Sequence, residues 1–125
     1  MIETTVDNKN DLTIHKCLGS LTDNEFITVI HTFYDGKPTM NTAWDFSKCS
    51  LDGTSSVFLK QAANLVHRLS QNTRKGGKTA VIASQDLEYG LSRMFQIITE
   101  DEGIPFNIKV FRTADEASQW LLEKE

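Results

Sequence analysis

The run Gly77-Lys78-Thr79-Ala80-Val81-Ile82-Ala83, followed by Ser84-Gln85-Asp86-Leu87-Glu88-Tyr89-Gly90-Leu91-Ser92-Arg93-Met94-Phe95, carries most of the information about the fold. Thr79 to Ala83 is apolar at successive positions, not alternate ones. A strand of that kind is predicted to be central, with helices over both of its faces. From Asp86 the pattern changes to helical spacing. Leu87, Leu91, Met94, Phe95 and Ile98 are predicted to form a core stripe on a helix over 86–102, which Gly103-Ile104-Pro105 stops. Gly90 inside that helix costs about 1 kcal/mol against alanine, which suggests close approach of a neighbouring helix or partner.

Working outward, Arg74-Lys75-Gly76-Gly77-Lys78 is a turn feeding the strand. Before it, Phe58, Leu59, Ala62, Leu65, Val66 and Leu69 mark one face of a helix over 55–69. A short strand, Thr42 to Phe46, precedes that helix. Further back, Thr22-Asp23-Asn24-Glu25 has the form of a capping box, in which hydroxyl and carboxylate satisfy each other's free backbone N–H groups. It opens a helix carrying Phe26, Ile30 and Phe33, with Ile27 and Tyr34 beside them, which ends at Asp35-Gly36-Lys37-Pro38. The chain begins as a hairpin, Ile2 to Val6 and Leu12 to Cys17, across the turn-forming Asp7-Asn8-Lys9-Asn10. At the other end, Ile108, Val110 and Phe111 belong to a last strand. Thr113-Ala114-Asp115-Glu116 then opens a terminal helix through Leu121. The predicted order is β-β-α-β-α-β-α-β-α. This is an α/β chain with a mixed sheet of about five strands, mostly parallel after the hairpin, and about four helices. It is expected to form one domain over 1–125.

The composition excludes several classes. With 39% hydrophobic residues and a net charge of −4, the chain has enough apolar material to collapse and no overall attraction for nucleic acid or anionic lipid. Acids are nevertheless absent between Gly53 and Gln85, where Lys60, Arg68, Arg74, Lys75 and Lys78 lie. That split reads as solvated faces of different sign, or as a basic edge meeting an acidic partner or a phosphate. No apolar run approaches the roughly 20 residues of a membrane span. With no leader pattern after Met1, a cytoplasmic location is expected. Cys17 and Cys49 lack metal or redox spacing and read as buried small hydrophobes. His15, His31 and His67 have no ligand spacing. With no nucleophile or phosphate-loop motif in the sequence, no catalytic residue, cofactor or metal is expected.

The stretch Trp44-Asp45-Phe46-Ser47-Lys48-Cys49-Ser50-Leu51-Asp52, followed by Thr54-Ser55-Ser56, resembles the STAS signature, in which a strand runs into an Asp-Ser-Ser-Gly turn at a helix start. Gly77 to Ala83, Leu87 to Phe95, Phe106 to Phe111 and the helix from Glu116 to Leu122 are similar to the SpoIIAA-like group, so the resemblance covers essentially the whole chain. It implies the STAS-type fold of anti-sigma factor antagonists: bacterial, non-enzymatic regulatory modules that bind a protein partner such as a kinase and are switched by phosphorylation of a serine in that turn. This chain reads Asp52-Gly53-Thr54-Ser55-Ser56-Val57, so Thr54, Ser55 and Ser56 all stand as candidates for the switch. The same residues have a structural reading, as the cap of the helix they precede. Asp52, Tyr89, Gly90 and Arg93 are candidate partner or ligand contacts, with Tyr89 and Arg93 spaced for an i,i+4 contact. The resemblance extends to Sec14-like lipid carriers. That implies a small apolar or lipid ligand as the alternative function, with the aromatic residues Phe26, Phe33, Phe58 and Phe95 either lining a pocket or filling the core. Trp44, Phe46 and Trp120 supply large aromatic surface, from which a homodimer is expected.

Overall fold

The computed structural model describes residues 1–123; the last two residues of the expected domain lie outside them. The elements run β1 (Ile2–Asp7), a short 3-10 turn, β2 (Leu12–Ser20), α1 (Asp23–Asp35), β3 (Asn41–Ser50), α2 (Ser56–Leu69), β4 (Lys78–Ile82), α3 (Asp86–Glu102), β5 (Asn107–Phe111) and α4 (Ala114–Leu121). The five strands form one sheet in the order β1-β2-β3-β4-β5. The β1-β2 pair is antiparallel, and the other three pairs are parallel. The predicted element order and mixed sheet are those observed.

Strand order advances in one direction from β2 to β5. Right-handed crossovers then place α1, α2 and α3 on the same side of the sheet. Period-two alternation divides the strand residues between the two faces. Leu12, Ala43, Ala80 and Ile82 pack under Ala117 and Leu121 of α4. Val81, Ile108 and Trp44 pack under Ile30 of α1, Leu65 and Val66 of α2 and Phe95 of α3. β4 is therefore covered on both faces, as its unbroken apolar run requires.

The helix starts follow from local chemistry. Thr22 caps α1, and its capping box has both reciprocal bonds. Thr113 accepts the Glu116 N–H at the start of α4. β3 runs on to Ser50, beyond the predicted Phe46. The large aromatics Trp44, Phe46 and Trp120 pack against the clusters on the two sides of the sheet. These rings are half-buried, which reduces the aromatic surface on which the sequence argument for self-association rests.

α3 spans the predicted residues, but its face is rotated. Leu91 and Phe95 point inward with Glu88, Ser92 and Thr99, whereas Leu87, Met94 and Ile97 are exposed, Ile97 by 60%. Two polar anchors compensate the inward turn. Glu88 accepts the Leu51 N–H at 3.0 Å, and the Thr99 hydroxyl donates to the helix's own carbonyls at Phe95 and Gln96. Gly90 lies on the exposed side, where an added Cβ would meet nothing within 4 Å. Tight packing is thus not the reason for this glycine.

Candidate functional site

Between the sheet and helices α1–α3 lies a cavity of about 110 Å³. Most of its wall is apolar: Phe26, Ile30 and Phe33 from α1, Trp44, Phe46 and Val81 from the sheet, Phe58, Leu59, Ala62 and Val66 from α2, Leu91 and Phe95 from α3, and Phe106 and Ile108 from β5 and the loop before it. The four phenylalanines singled out in the sequence line one space, so they serve as core and as pocket wall together. Natural interiors contain few voids larger than a water molecule. A dry apolar cavity of this order holds a molecule of about the size of benzene.

The wall turns polar at the edge where the parallel strands begin. Thr13, Thr42 and Thr79 stand side by side in register on β2, β3 and β4. Thr42 and Thr79 hydroxyls bond each other at 2.8 Å, and Thr13 bonds Thr39 at 2.8 Å. Onto this row folds Arg74, whose side chain is almost wholly inside, the residue being 5% exposed. Its Nε donates to the Met40 carbonyl at 3.2 Å, Nη1 to the Tyr34 phenol at 3.1 Å, and Nη2 to Thr79 at 2.7 Å, with Thr42 and the Lys78 carbonyl also in reach. The guanidinium carbon lies 4.0 Å from the centroid of the Phe106 ring and 5.6 Å from that of Phe33. Among the described residues no carboxylate forms an ion pair with it. Burial draws its pKa down from the ordinary value, and Tyr34 and Asp11 oppose that. An arginine stays charged all the same.

The turn explains why Arg74 goes inside. Arg74 has φ 54° and Gly76 φ 79°, which reverses the chain, and the Gly77 N–H closes the turn on the Arg74 carbonyl at 2.8 Å. Gly77 lies so close to the Met40 carbonyl that a Cβ would overlap it. The expected basic edge is therefore broken. Arg74 is interior, and Lys78 is spent on the Trp120 and Glu123 carbonyls at 2.8 and 3.1 Å.

His15, on β2, lines the same cavity and is 1% exposed. Its ring lies 4.3 Å from that of Trp44, and Nδ1 bonds the Thr4 hydroxyl at 2.9 Å. Burial first, then the charge of Arg74, lowers its pKa to about 4, so the ring is neutral at physiological pH. Toward the other end of the cavity, where Leu51 and Thr54 line it, Ser92 is 5% exposed and its hydroxyl has no hydrogen-bond partner.

Of the remaining candidates only Thr54 reaches the cavity. Ser55 is the N-cap of α2, accepting the Phe58 N–H at 3.1 Å. Ser56 is exposed in the first helical position, Thr54 is half-buried at the cavity wall, and Asp52 is exposed in the preceding turn. Asp52 also borders an open groove formed with Ser50 and the start of α3. Tyr89 and Arg93 do not pair. Arg93 bonds Gln96 at 3.0 Å, whereas the Tyr89 ring lies under Arg112, which is 4.0 Å from its centroid and is held by Asp86 at 2.8 Å. Cys17 and Cys49, distant in sequence, come together on β2 and β3, where the Cys17 thiol faces the His15 carbonyl at 4.0 Å and the Cys49 thiol donates to the Phe46 carbonyl at 3.6 Å. Sequence reasoning missed Arg74, the threonine row and Ser92. The one available signal was the Gly76-Gly77 turn that follows Arg74 and Lys75.

No family model and no curated protein matches the chain. Among solved structures it superposes on an uncharacterized protein of the DUF3478 family with a SpoIIAA-like fold from Shewanella loihica PV-4, with a TM-score of 0.59 and 18% identity over 97% of this chain and 92% of that one. The fold is SpoIIAA-like. At that identity the likeness concerns the fold alone. Within this SpoIIAA-like chain no described helix is long and apolar enough to cross a membrane.

Proposed function

We propose that this protein is a non-enzymatic binding module whose ligand is a small apolar molecule held between the sheet and helices α1–α3. The observation that carries this reading is the apolar cavity of about 110 Å³ with the Ser92 hydroxyl unpartnered in its wall. A buried hydroxyl without a partner costs about 1–3 kcal/mol, a cost that a bound molecule with an acceptor would offset. The polar groups around the cavity support binding over catalysis. His15 has one ring nitrogen held by Thr4, and the threonine hydroxyls are engaged with one another or with Arg74. The test is a titration of the amide NMR spectrum with toluene, in wild type and in Ala62→Leu, which extends a side chain into the cavity. Saturable shifts at Ala62, Leu91 and Phe95 in wild type, lost in the variant, are expected. A wild-type spectrum that toluene leaves unchanged would sink the reading.

A second reading, a regulatory module switched by phosphorylation, is favoured by the division of labour between two serines. Ser55 is committed to capping α2, whereas Ser56 is exposed with no hydrogen bond from its hydroxyl among the described residues. A phosphoryl group there would add about −1.5 to −2 charges at a helix start. Asp52, Tyr89, Gly90 and Arg93 would then be contacts for a cytoplasmic partner, a regulatory kinase or a second copy of the chain. Replacing Ser55 and Ser56 by Asp should abolish capture of that partner; undiminished capture would count against the switch.

A further inference from the structure

We infer that the ligand of the cavity is a small apolar carboxylate, its carboxylate seated on Arg74 Nη1 and the Tyr34 phenol. This inference rests on the cavity-binding reading above. It begins from an imbalance: a guanidinium is buried among five oxygen acceptors, all of them neutral. Isolated buried charges are destabilising unless a counter-charge meets them, and among the described residues no acid pairs with this one, Asp11 acting on it only from beyond ion-pair distance.

The donor count shows where the counter-charge would sit. Nε and Nη2 are saturated by Met40, Lys78, Thr42 and Thr79. Nη1 carries two N–H groups and makes one bond, to the Tyr34 oxygen. That oxygen accepts from the arginine, so the phenol proton is free to donate, and the structure shows no acceptor for it among the described residues. Burial raises the Tyr34 pKa, which keeps that proton in place. Two unspent donors, on atoms 3.1 Å apart, therefore belong to residues that line the same cavity. A carboxylate has two oxygens in one plane, matched to such a pair. Phe33 and Phe106, near the guanidinium, leave an apolar approach to it, suited to a hydrocarbon tail lying along Phe26, Trp44 and Phe95.

The experiment compares isosteric pairs on the full chain by calorimetry and thermal shift: benzoate against benzyl alcohol, and hexanoate against hexanol. Wild type should prefer the carboxylate by roughly tenfold or more, the scale of one charge-assisted hydrogen bond. Arg74→Met should erase that preference while retaining the alcohol. Should Arg74→Met fail to fold, Tyr34→Phe, which removes only the phenol hydroxyl, should weaken the carboxylate several-fold and leave the alcohol unchanged. Equal affinity for acid and alcohol in wild type would overturn the carboxylate assignment and leave the cavity reading intact. Binding of neither would overturn both.

Discussion

The guanidinium of Arg74 packs on the ring of Phe106, its central carbon 4.0 Å from the ring centroid, with its edge turned to the oxygens of Met40, Tyr34, Thr42, Lys78 and Thr79. A planar fork fits that arrangement and a point charge does not. Arg74→Lys keeps the charge but satisfies at most three of those acceptors and loses the stacking. It should lower stability by about 2 kcal/mol, read as a fall in the urea midpoint without a change in slope. An unchanged midpoint would show that the fork contributes nothing beyond its charge.

His15 sets the acid limb of stability. Its folded pKa of about 4 lies below the ordinary histidine value of 6.5, so the unfolded chain takes up a proton that the folded chain resists. The stabilisation is complete above pH 6.5, is lost as pH falls toward 4, and declines no further below that. The full effect is about 3 kcal/mol. Asp7 and Glu25, whose carboxyls are held below their usual values by hydrogen bonds, keep their contribution above those usual values of 3.8 and 4.5 and lose it as pH falls further. Urea midpoints at pH 7, 5.5 and 4.5 should fall steadily in wild type and much less in His15→Gln. Parallel curves for the two proteins would refute the assignment.

The two cysteines should differ in reactivity. Cys17 is fully buried, and the neighbouring Cys49 side chain together with that burial pushes its pKa up, whereas the nearby Cys17 side chain draws the half-buried Cys49 down. The thiolate is the reactive form. Iodoacetamide at pH 8 should therefore label Cys49 in the folded protein and reach Cys17 only in denaturant, as read by peptide mass spectrometry. Comparable labelling rates for the two would contradict this arrangement.

Elements were legible in the sequence where one local cause decided them: the Thr22 capping box, the unbroken apolar run of β4 and the amphipathic face of α2. The candidate site was less so, because its making is non-local. Thr13, Thr42 and Thr79 come from three strands and meet only through sheet register, and each reads alone as an ordinary strand former. Arg74 looks like one more base in a basic run until the Gly76-Gly77 turn sends it inward. α3 misled for a related reason. Leu91 and Phe95 are common to two adjacent faces, and the choice between them rests on Glu88 reaching the Leu51 amide, 37 residues away.

The same rotation of α3 reverses the usual expectation for its glycine. Gly90 is exposed within the helix, its φ is not among the positive values, and a Cβ would touch nothing within 4 Å. Alanine there gives up backbone freedom in the unfolded chain and meets no clash in the folded one, so Gly90→Ala should stabilise by about 0.5–1 kcal/mol. Gly77→Ala should do the opposite, because its Cβ runs into the Met40 carbonyl that also receives Arg74 Nε. The turn must open, and the cost should exceed about 2 kcal/mol. Thermal melts of the two variants beside wild type should move in opposite directions. A stabilised Gly77→Ala would mean that the turn holding Arg74 in place is looser than its geometry requires. A destabilised Gly90→Ala would mean that this helix face is covered in solution.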